Sequence, residues 1–476
     1  MKTMTSLREV FSPKDMSDGV PWKRIAAFAF PMLLGNIAQQ LYNTVDTIVV
    51  GNSHWGYTAL SAVGSAGPIL NLLLALFVGI STGAGIMVAQ YFGAHNYRGL
   101  SKTIANCIIL TGAASVFIMV FGPIITGPLL RLVGTLPELF DQCKQYLVIF
   151  FVGIAGFFFY NIFSGILRGM GDSFSALLYL LVAAALNIVL DLAFVEKMGV
   201  AGVALATVIA QFISAILCLR KMLSLKQYFT IRKEDLKPEK RYISRIISLG
   251  IPSGLSSAIM SLGMMVVQRL INSFGDDMFV AANVLTMRVD GYAMMPTFSF
   301  GMAMSTFAGQ NIGAGRMDRL KTGLKQCMIM AVCTSAALTP VVLFGGPYLL
   351  RLFTPEQRLI ELTMGLIYTI AAGYIFNAAT QVWQGVVRGA GDTVSPMLIG
   401  FFTNIVLRIP LAYSMVYFAK RAGAAVFTQQ KMVFLSMFIA WTVSMIISFA
   451  VYKRGKWKNK QVMHAERPSG GPAVEE

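Results

Sequence analysis

The chain has 476 residues, of which 56% are hydrophobic and only 13% charged, with a formal net charge of +17. Soluble domains carry about 25% charged residues, so the composition excludes an ordinary soluble fold and points to a membrane protein. The basic charge does not mark a nucleic-acid partner. Lys and Arg collect in the polar stretches on one side of successive apolar segments, the positive-inside pattern that sets membrane orientation.

The first 24 residues are polar, with Lys2, Arg8, Lys14, Asp15 and Asp18, and contain no cleavable signal. They are expected to form a cytoplasmic N-terminal segment. Twelve apolar runs follow, near 25–50, 60–91, 103–127, 142–167, 174–195, 199–221, 246–271, 280–308, 323–346, 360–386, 393–418 and 429–452. Each approaches or exceeds the roughly 20 residues a helix needs to cross the hydrocarbon core, whereas barrel strands alternate over segments of about 10. The expected fold class is an all-α polytopic membrane protein with twelve transmembrane helices. The longest polar interruption, 222–244, carries Lys226, Arg232, Lys233, Glu234, Asp235, Lys237, Glu239, Lys240 and Arg241. It reads as a cytoplasmic linker between an N-lobe (25–221) and a C-lobe (245–452) of six helices each. Residues 453–476 form a basic tail ending in Pro468-Ser-Gly-Gly-Pro472 and further polar residues, with too little apolar surface for a core, and are expected to be disordered. Both termini are then cytoplasmic, in a multi-pass protein of the inner (plasma) membrane.

The chain repeats itself. Gly165-Ile-Leu-Arg168-Gly169-Met-Gly171-Asp172 returns as Gly385-Val-Val-Arg388-Gly389-Ala-Gly391-Asp392, and Gln90-Tyr-Phe-Gly93-Ala94 returns as Gln310-Asn-Ile-Gly313-Ala314, both 220 residues later. Two motifs at one offset indicate a duplication, the usual construction of secondary transporters. Six spans per half leave the halves in the same orientation, related by a pseudo-two-fold axis along the membrane normal.

Three carboxylates fall inside spans: Asp46, Asp191 and Asp290. An ionised group at mid-helix costs on the order of 3 kcal/mol on insertion scales, so each needs a partner, a cavity or a function. Asp46 follows Tyr42 by one turn and Asp191 follows Asn187 by one turn, on shared faces. A carboxylate beside a polar neighbour suits a proton or Na⁺, and a helix-capping or interhelical hydrogen bond remains the structural alternative. Asp290 is open between a functional role and an ion pair with Arg408. Asn187-Ile-Val-Leu-Asp191 aligns with Asn404-Ile-Val-Leu-Arg408, so the duplicated position has changed sign and places cation coupling in the N-lobe.

Pro31 lies in the first span and Pro252 in the seventh, where each removes a helix hydrogen bond and forms either a hinge or a static kink. Gly79 and Gly83 form a small-xxx-small pair for close helix packing. The 28 Met and 33 Phe supply lipid-facing and core surface, a subset of them suited to an adaptable cavity. Cys107, Cys143, Cys218, Cys327 and Cys333 show no metal-ligand spacing. No His-Glu-x-x-His, Gly-x-Ser-x-Gly or Gly-rich phosphate loop with Lys occurs, and His54, His95 and His464 lie outside mid-span positions, which argues against an enzyme.

Pro31 with Tyr42 and Val45-Asp46-Thr47, Gln90–Ala94, Arg168–Asp172, Asn187–Asp191 and the second-half copies together resemble the multidrug and toxin extrusion (MATE) family, over about residues 21–452. The resemblance implies a V-shaped pair of six-helix lobes around a central cavity, exporting amphiphilic organic cations in exchange for H⁺ or Na⁺. Within the family the sequence looks more DinF-like than NorM-like. On that branch the N-lobe cation site matches Asp46, Asn187, Asp191 and Thr207, with Tyr42, Tyr146 and Asn161 as nearby polar residues and Pro31 as the hinge linked to protonation. The acids of the NorM-like branch correspond to Met260 and Asn377, which counts against a C-lobe Na⁺ site. The implied substrate-cavity residues further include Asp290, Asn377 and Arg408. Partners are then amphiphilic small molecules and membrane lipids, with no cofactor beyond the coupling ion and no obligatory protein partner. The closest rival is a lipid-linked oligosaccharide or polysaccharide flippase of the same superfamily, which would use Arg269, Arg288 and Arg408 to hold a pyrophosphate.

Overall fold

The structure, a computed structural model, describes residues 12–51 and 56–462, with the side chains of residues 43, 46, 47 and 56–60 outside that description. Among the described residues the long elements are all helices. These are α1 (Pro21–Gly51), α2 (Gly56–Gly93), α3 (Tyr97–Val133), α4 (Pro137–Val152), α5 (Ile154–Gly169), α6 (Ser173–Met198) and α7 (Val200–Ser224). After the linker come α8 (Lys240–Asn272), α9 (Asp277–Gly313), α10 (Met317–Leu350), α11 (Gln357–Ile370), α12 (Gly373–Gly389), α13 (Val394–Phe401), α14 (Arg408–Arg421) and α15 (Val426–Arg454). Among the described residues eight helical segments are long and apolar enough to cross a membrane, and counting each of the bent pairs α4–α5 (52°) and α11–α12 (49°) as one span gives up to ten. Helices α1 and α9, of 31 and 37 residues, stand outside that number and lie at the first and eighth of the apolar runs. A π-helical turn, Phe402–Leu407, joins α13 to α14 and holds Asn404 of the inverted-sign motif. Such a turn interrupts the regular ladder and is common at functional positions.

The repeated Arg-Gly-x-Gly-Asp motif has the same local structure twice. Gly171 and Gly391 take φ of 84° and 93°, the left-handed conformation that glycine adopts without a Cβ penalty. Each stops a helix and turns the chain into the next. The following Asp then caps the new helix: Asp172 Oδ1 accepts from the Ser175 amide at 2.9 Å and Asp392 Oδ1 from the Ser395 amide at 3.1 Å. The serine hydroxyls donate back to the second carboxylate oxygen at 2.7 Å in both copies. These caps satisfy orphan amide donors at a helix start.

The helices cluster into two compact units. Among the described residues, one comprises 12–15 and Phe30–Gly254, and the other comprises Met16–Ala29 and 255–462. In the first, Leu130, Leu147, Phe150, Phe158 and Val203 form a buried apolar cluster. In the second, Leu270, Phe279, Leu366 and Phe434 do the same. Large apolar side chains elsewhere face outward, such as Ile124 at 67% and Phe344 at 79% exposed. Water would penalise that arrangement and lipid tails do not.

Helices α2 and α8 meet within the first unit at four glycines. A Cβ built on Gly79 would lie 2.3 Å from the Gly254 amide nitrogen, and one on Gly83 2.7 Å from that of Gly250. The small-xxx-small pair seen in α2 is therefore met by a second one, Gly250 and Gly254, on α8, and the two backbones touch.

Candidate functional site

In the first unit α6 carries Asn187 and Asp191 one turn apart, both buried at 1% and 0% exposure. Thr207 comes from α7, which packs along α6, and Tyr42 from α1. With the Asn187 amide assigned so that nitrogen faces the acid, both its nitrogen and its oxygen find partners. Nδ2 then donates to Asp191 Oδ2 at 2.8 Å and to the Tyr42 hydroxyl at 3.2 Å, while Oδ1 accepts from the Thr207 amide at 3.1 Å. Thr207 Oγ1 has one proton, which can go to the Val203 carbonyl at 3.0 Å or to Asn187 Oδ1 at 3.3 Å. The structure thus brings together Tyr42, Asn187, Asp191 and Thr207. Asp46 lies on α1, one turn beyond Tyr42, but its side chain is outside the described residues.

Two of the other expected residues are placed elsewhere in the same unit. Tyr146 is 7% exposed and packs in the apolar cluster with Phe150, Val195 and Val203. Its cluster partners Val195 and Val203 stand one turn from Asp191 and Thr207 respectively. Asn161 donates to the Phe157 carbonyl at 2.8 Å and lines a cavity of about 150 Å³ with Pro31, Asn36, Gln39, Tyr160, Ser164 and Arg168. In the sequence Arg168 stands out only as part of the repeated motif. Its place in this cavity could have been suspected from its spacing of seven residues after Asn161, two turns along one helix face.

The second unit has a different polar centre. Asp290, 9% exposed, accepts a hydrogen bond from the Tyr374 hydroxyl. Arg408 is near enough for its charge to act on Asp290. The direct ion pair, one of the two readings open from the sequence, is not formed within 4.0 Å among the described residues: α12 inserts the Tyr374 phenol, which donates to a carboxylate oxygen. Arg408 Nε and Asn377 Oδ1 are buried without a hydrogen-bond partner there. Asn377 stands three residues after Tyr374, on the same side of α12. Tyr374 carried no sequence signal, since the position 220 residues earlier is Ile154. Met260, the other residue aligned with an acid of the NorM-like branch, is an exposed apolar side chain at 40%.

The MatE family profile matches residues 31–193 and matches again over 252–414. The chain belongs to the MatE family. Its two matches are of equal length, and each begins on a proline, Pro31 and Pro252. Among curated relatives, "Probable multidrug resistance protein YoeA" of Bacillus subtilis is 28% identical over 451 residues, covering 93% of this chain and 95% of the relative. "Multidrug export protein MepA" of Staphylococcus aureus is 22% identical over 405 residues, covering 83% and 87%. A solved structure described as "Outward-facing conformation of a multidrug resistance MATE family transporter of the MOP superfamily" superposes with a TM-score of 0.86 at 23% identity, covering 93% of this chain and 98% of that one. A Pyrococcus furiosus transporter of the MOP superfamily, described as having a binding pocket of reversed polarity, superposes with a TM-score of 0.84 at 24% identity, covering 94% and 98%. At these identities the structures establish the shared fold of this MatE protein, a multi-pass helical membrane transporter.

Proposed function

We propose that this protein exports amphiphilic organic cations across the plasma membrane in exchange for protons, by alternating access, with its termini in the cytoplasm. The observation that carries the reading is Asp191, wholly buried at 0% exposure and hydrogen-bonded by Asn187. A carboxylate in that place is stabilised by neutralisation, which a proton or a cationic guest would supply. Exchange follows when ion and substrate compete for the same negative charge, because only a differential affinity couples two ligands.

A proton requires one carboxylate oxygen of Asp191 and is compatible with the Asn187 amide as assigned from its hydrogen bonds, nitrogen to Asp191 and oxygen to the Thr207 amide; a sodium ion would call for the amide turned to present its oxygen. Asp46, Asn187, Asp191 and Thr207 are read as the coupling site, Tyr42, Tyr146 and Asn161 as supporting residues, and Pro31 as the hinge. This puts coupling in the N-terminal unit, as in the DinF-like branch. In the second unit the aligned Met260 and Asn377 carry no negative charge, and Asp290 lies near Arg408.

The flippase reading requires positive charge free to hold a pyrophosphate, and the nearness of Arg408 to Asp290 leaves less of it available. The test is efflux of a cationic dye from everted membrane vesicles, with the proton or the sodium gradient collapsed separately. Loss of efflux with the proton gradient alone is expected. Efflux that survives in both Asp46→Asn and Asp191→Asn, driven as in the parent, sinks the mechanism.

A further inference from the structure

Two hydrogen bonds, one in each unit, share one design. The Trp22 amide donates to Gln326 Oε1 at 2.9 Å, and the Glu239 amide donates to Asn106 Oδ1 at 2.8 Å. Gln326 follows Asn106 by 220 residues, the repeat offset, and occupies the same place on α10 that Asn106 occupies on α3. In both cases a side-chain oxygen catches a main-chain amide at the start of a long proline-containing helix: α1 in one case, α8 in the other.

Further bonds surround each. In the second unit Gln310 Oε1 accepts from the Met16 amide at 2.7 Å, and Arg316 donates to the Ser17 carbonyl at 2.5 Å and to Asp18 Oδ1 at 2.7 Å. Arg319 donates to the carbonyls of Gly19 at 2.6 Å and Asp18 at 2.8 Å. In the first unit Arg98 pairs with Asp235 at 2.7 Å, Lys102 with Glu239 at 2.9 Å, and Ser101 Oγ accepts from the Thr230 amide at 3.1 Å. The glycine contact of α8 with α2 continues that attachment from Gly250 to Gly254.

The attachments follow unit membership rather than the repeat. Met16–Ala29, which lead into and begin α1, belong to the second unit, and α8 as far as Gly254 belongs to the first. Each helix therefore changes unit along its length. The change falls at Ala29/Phe30, beside Pro31, and at Gly254/Leu255, just past Pro252. A proline removes the helix hydrogen bond one turn back and lowers the resistance to bending there.

We infer that Asn106 and Gln326 are positioning residues for transport, which keep the base of α8 fixed to the first unit and the base of α1 fixed to the second throughout the cycle. Any change in the relation of the units is then delivered to α1 and α8 at the two proline joints and not at their ends. The consequence for coupling is direct. Tyr42, which meets Asn187, lies 11 residues beyond Pro31, about 16 Å along the same helix at 1.5 Å per residue. A base of α1 held by the second unit makes that helix a lever on the Asp191 cluster of the first. The inference rests on the transport reading above.

The test uses the full chain in membrane vesicles. Cys333 is the exposed cysteine, the others being buried, so Cys333→Ser supplies the background. Into it go the pairs Trp22→Cys with Gln326→Cys, and Glu239→Cys with Asn106→Cys. Before treatment each pair lacks its anchor, and the maximal efflux rate is expected to fall several-fold with an unchanged KM for dye. Linking either pair with a short bifunctional thiol reagent is expected to restore the rate, because a covalent bond replaces the hydrogen bond in protein already folded. A link that blocks efflux until the reagent is cleaved, or that leaves the lowered rate unchanged, overturns the inference. Absence of gradient-driven efflux in the Cys333→Ser parent would instead count against the transport reading itself.

Discussion

The two units use one backbone plan for two kinds of buried acid. Both end a helix at a left-handed glycine and start the next with a capping Asp, and both hold a fully buried Gln, Gln90 and Gln310. Around Asp191 the described hydrogen-bonding neighbours are neutral: the Asn187 amide, which also reaches the Tyr42 phenol and Thr207. Around Asp290 they are the Tyr374 phenol and, close by, the Arg408 guanidinium. A nearby guanidinium offsets part of a buried carboxylate's charge, and neutral donors offset less of it. Duplication preserved the helix ends and their caps while the surroundings of the buried acid diverged, and the proposed coupling in the first unit rests on that divergence.

Neutralising the acids one at a time should separate the halves most sharply. Asp191→Asn is expected to reduce proton-driven dye efflux by at least about 10-fold, within the range of ordinary coupling free energies. Asp290→Asn should leave coupling to the proton gradient and act through stability, since it strands the Arg408 charge. Equal loss of gradient response in the two variants would erase the distinction between the units.

Packing gives the next largest effect, and it isolates the first unit. Gly79→Leu forces a side chain into the backbone of Gly254, where a Cβ alone would come within 2.3 Å of the amide nitrogen. Overpacking of this kind costs about 1–3 kcal/mol, more where backbone is the obstacle. Gly64→Leu, at a position with nothing within 4 Å of a built Cβ, is the matched control. Thermal unfolding in detergent should show a clear fall in Tm for the first variant and little for the second.

Comparing the acids' hydrogen-bond donors gives a smaller effect. Asn187→Leu removes the donor to Asp191 Oδ2 and leaves a buried acceptor unsatisfied, a cost of about 1–3 kcal/mol. The expected outcome is a shift in the pH dependence of dye efflux, with a lesser effect on expression. Tyr374→Phe removes the corresponding donor to Asp290 and should leave that pH profile in place. A profile displaced by Tyr374→Phe and untouched by Asn187→Leu would move the coupling site to the second unit.

Much of this was legible in the sequence. The twelve apolar runs and the repeat foretold the helices, because hydropathy and chain length are local properties that a membrane reads directly. The grouping of Asn187 and Asp191 on one face followed from helical periodicity, and the resemblance to known transporters placed Tyr42 and Thr207 with them. What the sequence concealed depended on which helices meet. The Asp290–Arg408 pair looked plausible because both charges sit in spans, yet Tyr374 intervenes from a helix with no corresponding signal in the first half. The α2–α8 glycine contact was half visible in Gly79 and Gly83, but its partners Gly250 and Gly254 acquire meaning only when the helices are side by side. The exchange of the bases of α1 and α8 is invisible to any repeat analysis, since the repeat assigns each helix wholly to its own half.

The smallest predicted effect concerns the linker, which the first unit holds as the second holds the start of α1. Burial opposes ionisation of Asp235, but the Arg232 amide and the Arg98 guanidinium outweigh it and hold the carboxyl below its usual range. A depressed folded pKa contributes stability that is present above the unfolded value, about 3.9, and is lost as pH falls through the folded one. Hydrogen exchange at the Thr230 and Arg232 amides should therefore be constant from neutral pH down to about 4, once corrected for intrinsic rates, and lose protection only below it. Asp235→Asn should show the weaker protection at every pH, because the anchor to Arg98 is then reduced to neutral hydrogen bonds. Protection at Met16 and Trp22, held by Gln310 and Gln326, involves no buried carboxylate at those two bonds. It should fall less over the same range, so the two attachments, alike in their amide acceptors, become distinguishable by acid.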